Sequence, residues 1–207
     1  MKIEGLHAKL VKDSFFAAME KKGYATFDGN KKFNLNIIGV RSGSHDSTKF
    51  DDLMVVIYRD KDKEWVVDSY EMTTDPGPSI LRKPINKKGT AILVPDQYRS
   101  TWKIGPHGKT RYTALAQRLG EVRVYRDNDK DSKLEMHERT IDEGYFGINI
   151  HKHASAYERQ FVRGASAGCQ VFKNTKDFNR FMDVCHIAVD LFSNSFTYTL
   201  LEEKDLK

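Results

Sequence analysis

One cysteine and one histidine have the residue types and the spacing needed for nucleophilic chemistry. Cys169 follows three small residues, Ser166-Ala167-Gly168, and precedes an apolar run. A tight turn of small residues keeps a thiol accessible and lets backbone N–H groups face the atom that the sulfur attacks. The thiolate is the reactive form, and a nearby base or positive charge is needed to produce it at neutral pH. His151, 18 positions earlier, supplies such a base.

The segment around His151 is predicted to be a β-strand over residues 147–151. Side chains alternate between the two faces of a strand, so Ile148 and Ile150 are expected to face the core. Asn149, His151 and His153 then share the opposite face. The alternative is a solvent-facing edge, because histidine is often exposed. Asn149 and His153 are therefore secondary candidates for substrate binding.

The spacing of these residues resembles a known enzyme signature. Fourteen residues separate His151 from Ser166, and Gly168-Cys169 follow directly. This is similar to the L,D-transpeptidase pattern of His, 14 to 17 residues, Ser or Thr, His, Gly and Cys. The resemblance implies that Cys169 is the acyl-accepting nucleophile and that His151 is the general base and later the acid. It also implies that Ser166 and Gly168 shape the turn and the oxyanion site, on a mostly β sandwich fold.

Two positions depart from that signature. Ala167 stands where the family has its second histidine, and Gln170-Val171 replace the usual hydrophobic-Asn pair. The stretch at 87–98 resembles the lead-in of divergent, often phage-borne, relatives of this fold. The resemblance implies a peptidoglycan stem peptide as substrate, attacked at a carbonyl between an L- and a D-centre. The acyl group then passes to an amine or to water.

Composition places the chain in the class of folded proteins. It has 207 residues, of which 39% are hydrophobic and 30% charged, enough apolar mass for one sizeable core. No apolar stretch of membrane-spanning length is visible, and the start lacks the pattern of a signal peptide. We therefore expect synthesis in the cytoplasm and action on the cell wall after release, or as part of a virion. A phage lysis or wall-penetration enzyme fits that expectation, which favours hydrolysis over cross-linking.

The elements that must position the site are predicted from periodicity. Residues 6–21 form an amphipathic helix within an N-terminal segment, 1–30, that packs on the core. The resemblance implies that residues 31–207 form a single L,D-transpeptidase-like domain. Its predicted strands end at turn-like punctuation, and a C-terminal helix over 175–192 has Thr175 as its N-cap. Cys185 falls on the apolar stripe of that helix. The expected fold is α+β and mostly β, an antiparallel sandwich or barrel, with strands over 33–40, 52–59, 64–70, 90–94, 121–125 and 147–151.

Metal-dependent alternatives remain open at two places. His151, His153 and Cys169 could ligate zinc in a zinc-dependent hydrolase, although no fourth ligand is fixed by a motif. A weaker calcium-loop pattern runs from residue 127 to residue 138, but it has Ser132 where the sharp turn requires glycine. A solvated acidic turn is the simpler interpretation, and no cofactor is expected. The carboxylates of the calcium pattern are Asp127, Asp129, Asp131 and Glu138.

Further residues are expected to bind substrate. His107 lies in a predicted loop over 105–108 that could line the cleft. Arg163 and Arg159 lie between His151 and Cys169, where they could bind a stem-peptide carboxylate.

A non-catalytic phage-particle protein that kept the fold is the main alternative, because Ala167 breaks the signature. Nucleic-acid binding is not expected, since the 34 basic and 29 acidic residues are scattered.

Overall fold

The structure is a computed structural model that describes residues 2–108, 111–153 and 160–207, with side chains described from residue 7 onward. It is α+β and mostly β, as predicted. The helices are α1 (Gly5–Lys21), α2 (Pro78–Arg82) and α3 (Thr175–Leu191), with short 3-10 turns at Glu138–Thr140 and Glu203–Leu206. The strands are β1 (Lys2–Glu4), β2 (Asn36–Arg41), β3 (Asp52–Arg59), β4 (Trp65–Thr73), β5 (Thr90–Leu93), β6 (Gln97–His107), β7 (Tyr112–Gln117), β8 (Val122–Asp127), β9 (Asp142–Gly144), β10 (Ile150–Lys152), β11 (Gln170–Phe172) and β12 (Phe196–Glu202).

Most strands belong to one large mixed sheet. Its order is β1-β4-β11-β10-β7-β6-β12-β2-β3, and β3 also pairs with β4. The ladder from β4 round to β3 therefore closes on itself, while β1 adds to the free part of the β4 edge. A second, three-stranded sheet has the order β5-β8-β9. The described part of the chain contains no helix long and apolar enough to cross a bilayer.

Two neighbouring strand pairs run parallel, so the predicted antiparallel arrangement is wrong there. They are β10 with β11 and β2 with β12. Parallel pairing requires a connection long enough to carry the chain back to the same end of the sheet. The 17 residues between β10 and β11 are sufficient for this return. Short strands separated by turns predict antiparallel hairpins, but the candidate site is built on the parallel pair of β10 and β11.

Alternation along the strands separates two large apolar clusters, and a third, small cluster of Phe50, Val162 and Val171 has Cys169 packed against it. On β2, Ile37 enters the main core while Ile38 packs in a second cluster with α1. The buried stripe of α3, which includes Phe178, Phe181 and Cys185, joins the main core as its helical spacing predicted. Burial raises the pKa of the Cys185 thiol well above its ordinary value, which makes this thiol inert.

Several boundaries differ from the predictions in ways that bear on the site. Asn174, not Thr175, caps α3, because its side chain accepts a hydrogen bond from the Lys176 amide at 2.8 Å. The predicted strand at 147–151 is only the three residues of β10, shifted towards its C-terminal end. His107 is the last residue of β6 and not part of a loop.

Candidate active site around Cys169

The parallel pairing of β10 and β11 brings the histidine and cysteine segments together. Ile150 pairs with Gln170, and the Gln170 amide donates to the Asn149 carbonyl at 2.9 Å. Asn149 and Cys169 therefore lie side by side, immediately before the paired residues. The Asn149 amide nitrogen is 3.4 Å from the Cys169 sulfur. Two segments that are distant in sequence thus meet at the thiol.

The turn before Cys169 is held by Ser166. Its hydroxyl donates to the Cys169 carbonyl at 2.8 Å and accepts from the Gly168 amide at 3.1 Å. Gly168 has φ +110, and a Cβ at this position would lie 2.3 Å from the Ala91 carbonyl oxygen. Glycine is therefore required, and both residues shape the turn as expected. The expected oxyanion role of Gly168 is not supported, because its N–H is already bonded to Ser166.

The Cys169 thiol is half-buried and protonated. Its S–H donates to the Gly147 carbonyl, with the sulfur 3.4 Å from the oxygen, while the Asn149 N–H donates to the sulfur. Burial raises the pKa of the thiol to about 11, against the opposing effect of the Asn149 amide. Loss of solvation outweighs one backbone hydrogen bond, so the thiolate is not the resting form.

His151 is buried and has a defined tautomer. Its Nδ1 lies 2.6 Å from the Lys152 carbonyl oxygen and 3.2 Å from the Tyr112 hydroxyl, which itself donates to that carbonyl at 2.9 Å. A carbonyl accepts only, so Nδ1 carries the proton and Nε2 carries the lone pair. Burial lowers the pKa of His151 to about 3, with smaller contributions from His107 and His153. The imidazole is therefore a neutral base.

No hydrogen bond joins the Cys169 sulfur to the His151 ring among the described residues. The sulfur contacts the Gly147 carbonyl and the Asn149 amide instead. Proximity of Cys169 is nevertheless one cause of the raised pKa of Tyr112, after burial, and the Tyr112 hydroxyl contacts His151. Cys169 and His151 are therefore linked through a cluster of neighbouring residues, and no direct contact joins them among the described residues.

His107 and Asn149 complete this cluster. The His107 ring stacks on the His151 ring with centroids 4.0 Å apart. Asn149 Oδ1 accepts from the Gln117 amide at 2.9 Å, which directs Nδ2 to His107 Nδ1, also at 2.9 Å. Burial lowers the pKa of His107, so this ring is also uncharged near neutral pH. Both residues were candidates for substrate binding in the sequence analysis, although His107 was predicted to lie in a loop.

Of the other predicted substrate-binding residues, His153 lies close enough to His151 to contribute to the lowering of its pKa. His153 is buried, with its ring centroid 6.4 Å from that of Phe50. Arg163 has an exposed side chain, and its carbonyl packs closely on Gly77. The structure provides no contact from Arg163 to Cys169 or His151 among the described residues. Arg159 lies outside the described residues.

Neither predicted metal arrangement is formed in the described ranges. No group of three or more His, Cys, Asp or Glu side chains there could hold a metal ion, which includes the set His151, His153 and Cys169. In the acidic segment, Asp129 and Asp131 accept hydrogen bonds from backbone amides two residues further on. Asp127 accepts from the Glu135 amide at 3.0 Å, and Glu138 begins a 3-10 turn. The three aspartates therefore stabilise local chain turns by accepting backbone hydrogen bonds.

A buried ionic network behind the turn was missed by sequence reasoning. Arg41 Nε lies 2.9 Å from an Asp75 oxygen, and Asp52 accepts from the Thr74 amide at 2.6 Å. The Thr74 carbonyl accepts from Arg41 and from Gln170, each at 3.4 Å. The network is therefore bonded to the residue that follows Cys169. Burial and the neighbouring Asp75 raise the pKa of Asp52 to about 7, against the lowering effects of the Ser42 and Thr74 amides and of Arg41.

An open groove of about 290 Å³ lies beside the same turn, with Ala91, Phe146 and Ala167 among its lining residues. Sequence reasoning missed it because its walls come from segments distant in the chain.

Compared with protein-family models, with curated proteins and with solved structures, the chain shows no significant match. Interpretation of the site therefore depends on its own geometry.

Proposed function

We propose that this protein is a cysteine-dependent acyltransferase or hydrolase that acts on peptidoglycan stem peptides, with Cys169 as nucleophile and His151 as base. The observation that carries the proposal is the parallel pairing of β10 and β11, which sets the His151 segment beside the thiol. The fixed tautomer of His151 adds to it, because Nε2 is left as a proton acceptor.

The chemistry begins from a neutral pair. The thiol rotates from the Gly147 carbonyl towards His151, and its proton passes to Nε2 as the sulfur attacks the substrate carbonyl carbon. The C–N bond then breaks, and the imidazolium returns the proton to the leaving amine. Water or an amine attacks the thioester in a second round, which frees Cys169. Since the resting pKa values oppose an ion pair, proton transfer must accompany attack.

Neighbouring groups orient the base. The Lys152 carbonyl and the Tyr112 hydroxyl hold the Nδ1 side of His151, and the stacked ring of His107 limits its rotation. Asn149 has its side chain fixed between Gln117 and His107 while its backbone N–H meets the sulfur. These contacts fix the ring and the thiol segment relative to each other.

The substrate class is inferred from the resemblance of residues 147–169 to the L,D-transpeptidase signature. That signature implies a stem-peptide bond between an L- and a D-centre. We favour water as the acyl acceptor, as in a phage lysis or wall-penetration enzyme. The fine fold assignment, an L,D-transpeptidase-like domain, belongs to the same proposal.

A non-catalytic virion component is the second candidate, and one observation favours it. The resting S–H is bonded to the Gly147 carbonyl, and burial raises the thiol pKa rather than lowering it. Reactive cysteines usually have a depressed pKa. A structural protein would keep this hydrogen bond permanently and would never form a thioester.

Digestion of purified sacculi separates these candidates. The protein, Cys169→Ala and the matched thiol control Cys185→Ala are each incubated with sacculi, and the muropeptides are analysed by mass. We expect changed stem peptides with the protein and with Cys185→Ala, but not with Cys169→Ala. Activity that survives a chelator excludes the zinc alternative. Identical profiles for all samples would reject the enzymatic proposal in favour of the structural one.

A further inference from the structure

Two imidazole rings lie face to face in the candidate site. The rings of His107 and His151 are stacked, with centroids 4.0 Å apart and an angle of 22° between their planes. His107 ends β6 and His151 belongs to β10, and β7 lies between these two strands in the sheet. The sheet therefore brings together two histidines that are distant in the chain.

The Nδ1 atoms of the two rings have opposite hydrogen-bonding partners. His151 Nδ1 lies 2.6 Å from the Lys152 carbonyl oxygen, so it carries a proton. His107 Nδ1 lies 2.9 Å from the side-chain nitrogen of Asn149, which only donates, because the Gln117 N–H fixes the amide through its oxygen. Burial lowers the pKa of both rings, so both are neutral near pH 7. His107 therefore carries its proton on Nε2, where His151 has its lone pair.

The two Nε2 atoms are left for a ligand. Neither of them forms a hydrogen bond with a described residue. His151 is only 6% exposed, and side chains that are this well covered ordinarily have their polar atoms hydrogen-bonded. Since Nε2 lies across the ring from Nδ1, each Nε2 faces away from the protein group that holds its ring. The stacked pair thus offers one N–H donor and one proton acceptor.

Attack of a thiol on a carbonyl group requires both kinds of group. One accepts the S–H proton, and another donates a hydrogen bond to the negative charge that develops on the carbonyl oxygen. Two backbone amides near the sulfur are already engaged, because the Gly168 N–H bonds to Ser166 and the Asn149 N–H bonds to the sulfur itself. Asn149 also holds His107 through its side chain, so a single residue connects the sulfur to the His107 ring.

We propose that His107 is a second catalytic histidine, whose Nε2–H donates a hydrogen bond to the oxygen of the attacked carbonyl while His151 Nε2 accepts the thiol proton. His107 keeps its proton throughout. The hydrogen bond strengthens as the oxygen becomes negative, so it stabilises the tetrahedral intermediate more than the bound substrate. This proposal rests on the proposed function of Cys169, because it assigns a donor for that same reaction. The fixed amide of Asn149 then has a role, which is to hold His107 in the donor tautomer.

The tautomers are measured without any substrate. In protein labelled with nitrogen-15, long-range proton–nitrogen correlation spectra show which ring nitrogen carries the proton, and His107→Phe and His151→Asn assign the signals. At pH 7 we expect a neutral His107 protonated on Nε2 and a neutral His151 protonated on Nδ1. A His107 ring protonated on Nδ1, or on both nitrogens, would overturn the proposal.

Two reagents distinguish a hydrogen-bond donor from a packing residue. p-Nitrophenyl acetate acylates a thiol through a tetrahedral intermediate with a negative oxygen, whereas iodoacetamide alkylates it without one. Both rates are measured at Cys169 by peptide mass in a Cys185→Ala background. His107→Phe keeps a ring for stacking but has no N–H, so we expect acylation to slow about 100-fold and alkylation to stay unchanged.

Two further variants complete this comparison. His107→Gln still has an N–H donor, and we expect it to keep part of the acylation rate. His186→Phe is the matched control, because it makes the same exchange at an exposed position on α3 and should leave both rates unchanged. Thermal unfolding of each variant shows that it is folded.

Equal losses in acylation and alkylation would show that His107 only positions the thiol segment, and would overturn the proposal. Unchanged acylation in His107→Phe, or no acylation of Cys169 in the intact protein, would overturn it as well. Failure of the proposed function looks different. If ester acylation depends on His107 but a synthetic stem tetrapeptide that ends in D-alanine is not cleaved, the role of His107 holds and the peptidoglycan substrate fails. If His107→Phe cleaves the tetrapeptide as fast as the intact protein does, catalysis holds and the role of His107 fails.

Discussion

The state of two protons determines what the Cys169 site can do. Burial favours the neutral thiol and the neutral imidazole at once, with pKa values of about 11 and about 3. Desolvation disfavours both charged forms, so the pair differs from a cysteine protease with a preformed thiolate. If Cys169 is the nucleophile that we propose, its reactivity depends on a substrate that supplies the electrophile.

Alkylation of Cys169 tests the raised pKa. With iodoacetamide in a Cys185→Ala background, we expect slow modification at pH 7 and a rate that keeps rising to pH 10, because only the thiolate reacts. Intact-protein mass against time gives the rate at each pH. A plateau below pH 8 would mean that the thiol is activated in the resting protein, contrary to this description.

Protonation of His151 links the site to stability. Its pKa is about 3 when folded and about 6.5 when unfolded. Between these values the unfolded chain binds the proton first, so His151 contributes stability above pH 6.5 that is lost as the pH falls towards 3. We expect the free energy of unfolding to fall by up to about 1.4 kcal/mol per pH unit in that window relative to His151→Asn. Denaturant titrations between pH 4 and pH 8 measure this, and parallel curves for the two proteins would contradict it.

At the scale of elements, the cysteine turn depends on a glycine that cannot be replaced. Gly168 and Gly147 both have left-handed φ, of +110 and +71, but only at Gly168 does the position of a Cβ collide with backbone. We expect Gly168→Ala to lower the free energy of unfolding by about 3 kcal/mol, from strain together with displacement of the Ala91 segment. Gly147→Ala, the matched control, should cost about 1 kcal/mol.

Thermal unfolding of both glycine variants provides the measurement. Equal losses would show that the contact between Gly168 and Ala91 does not determine the turn. A larger loss for Gly147→Ala would contradict the packing described for both turns.

Elements with one dominant local signal were predictable from the sequence. The apolar run at 52–59 predicted both ends of β3, and the apolar stripe at 175–192 predicted the length of α3 to within one residue. β6 was missed because Lys103, Gly105 and Pro106 interrupt any strand pattern. Parallel pairing was not predictable, because it depends on which strands meet and not on either strand's composition.

The candidate site was predictable to the same degree. A motif with fixed spacing nominated Cys169, His151, Ser166 and Gly168, and strand alternation added Asn149; the structure brings Asn149 and Ser166 against Cys169, while the functional roles stay predictions. The buried Arg41–Asp75 pair was missed because charged residues are ordinarily exposed. The groove was missed since four separate segments build it, and no local pattern records that they meet.

At the scale of the whole molecule, a closed ladder separates the two larger of three apolar clusters. The main core includes α3 and faces the site through Ile148 and Ile150, while the second core lies under α1. The N-terminal helix α1 therefore packs on the β-strands through the second cluster, which is distinct from the cluster beside the site. Stability and catalysis should therefore be separable by substitutions in α1.

Met19→Ala tests this separation. Met19 is 1% exposed in the second core, and we expect the substitution to cost about 3 kcal/mol in unfolding free energy. Activity per folded molecule on sacculi should not change. Leu10→Ala on the same helix is the control, since Leu10 is 59% exposed and should alter stability by less than about 0.5 kcal/mol. Equal effects of the two substitutions would show that α1 does not pack as described.

The most direct test of the central claim is detection of a covalent acyl-enzyme. The protein is incubated with the stem tetrapeptide, quenched in acid, and analysed by intact and peptide-level mass spectrometry. We predict a mass increase equal to the peptide minus its leaving amino acid, located on Cys169 and absent from His151→Ala. Altered stem peptides without any adduct on Cys169, or an adduct that forms equally well in His151→Ala, would contradict the assignment of these two residues.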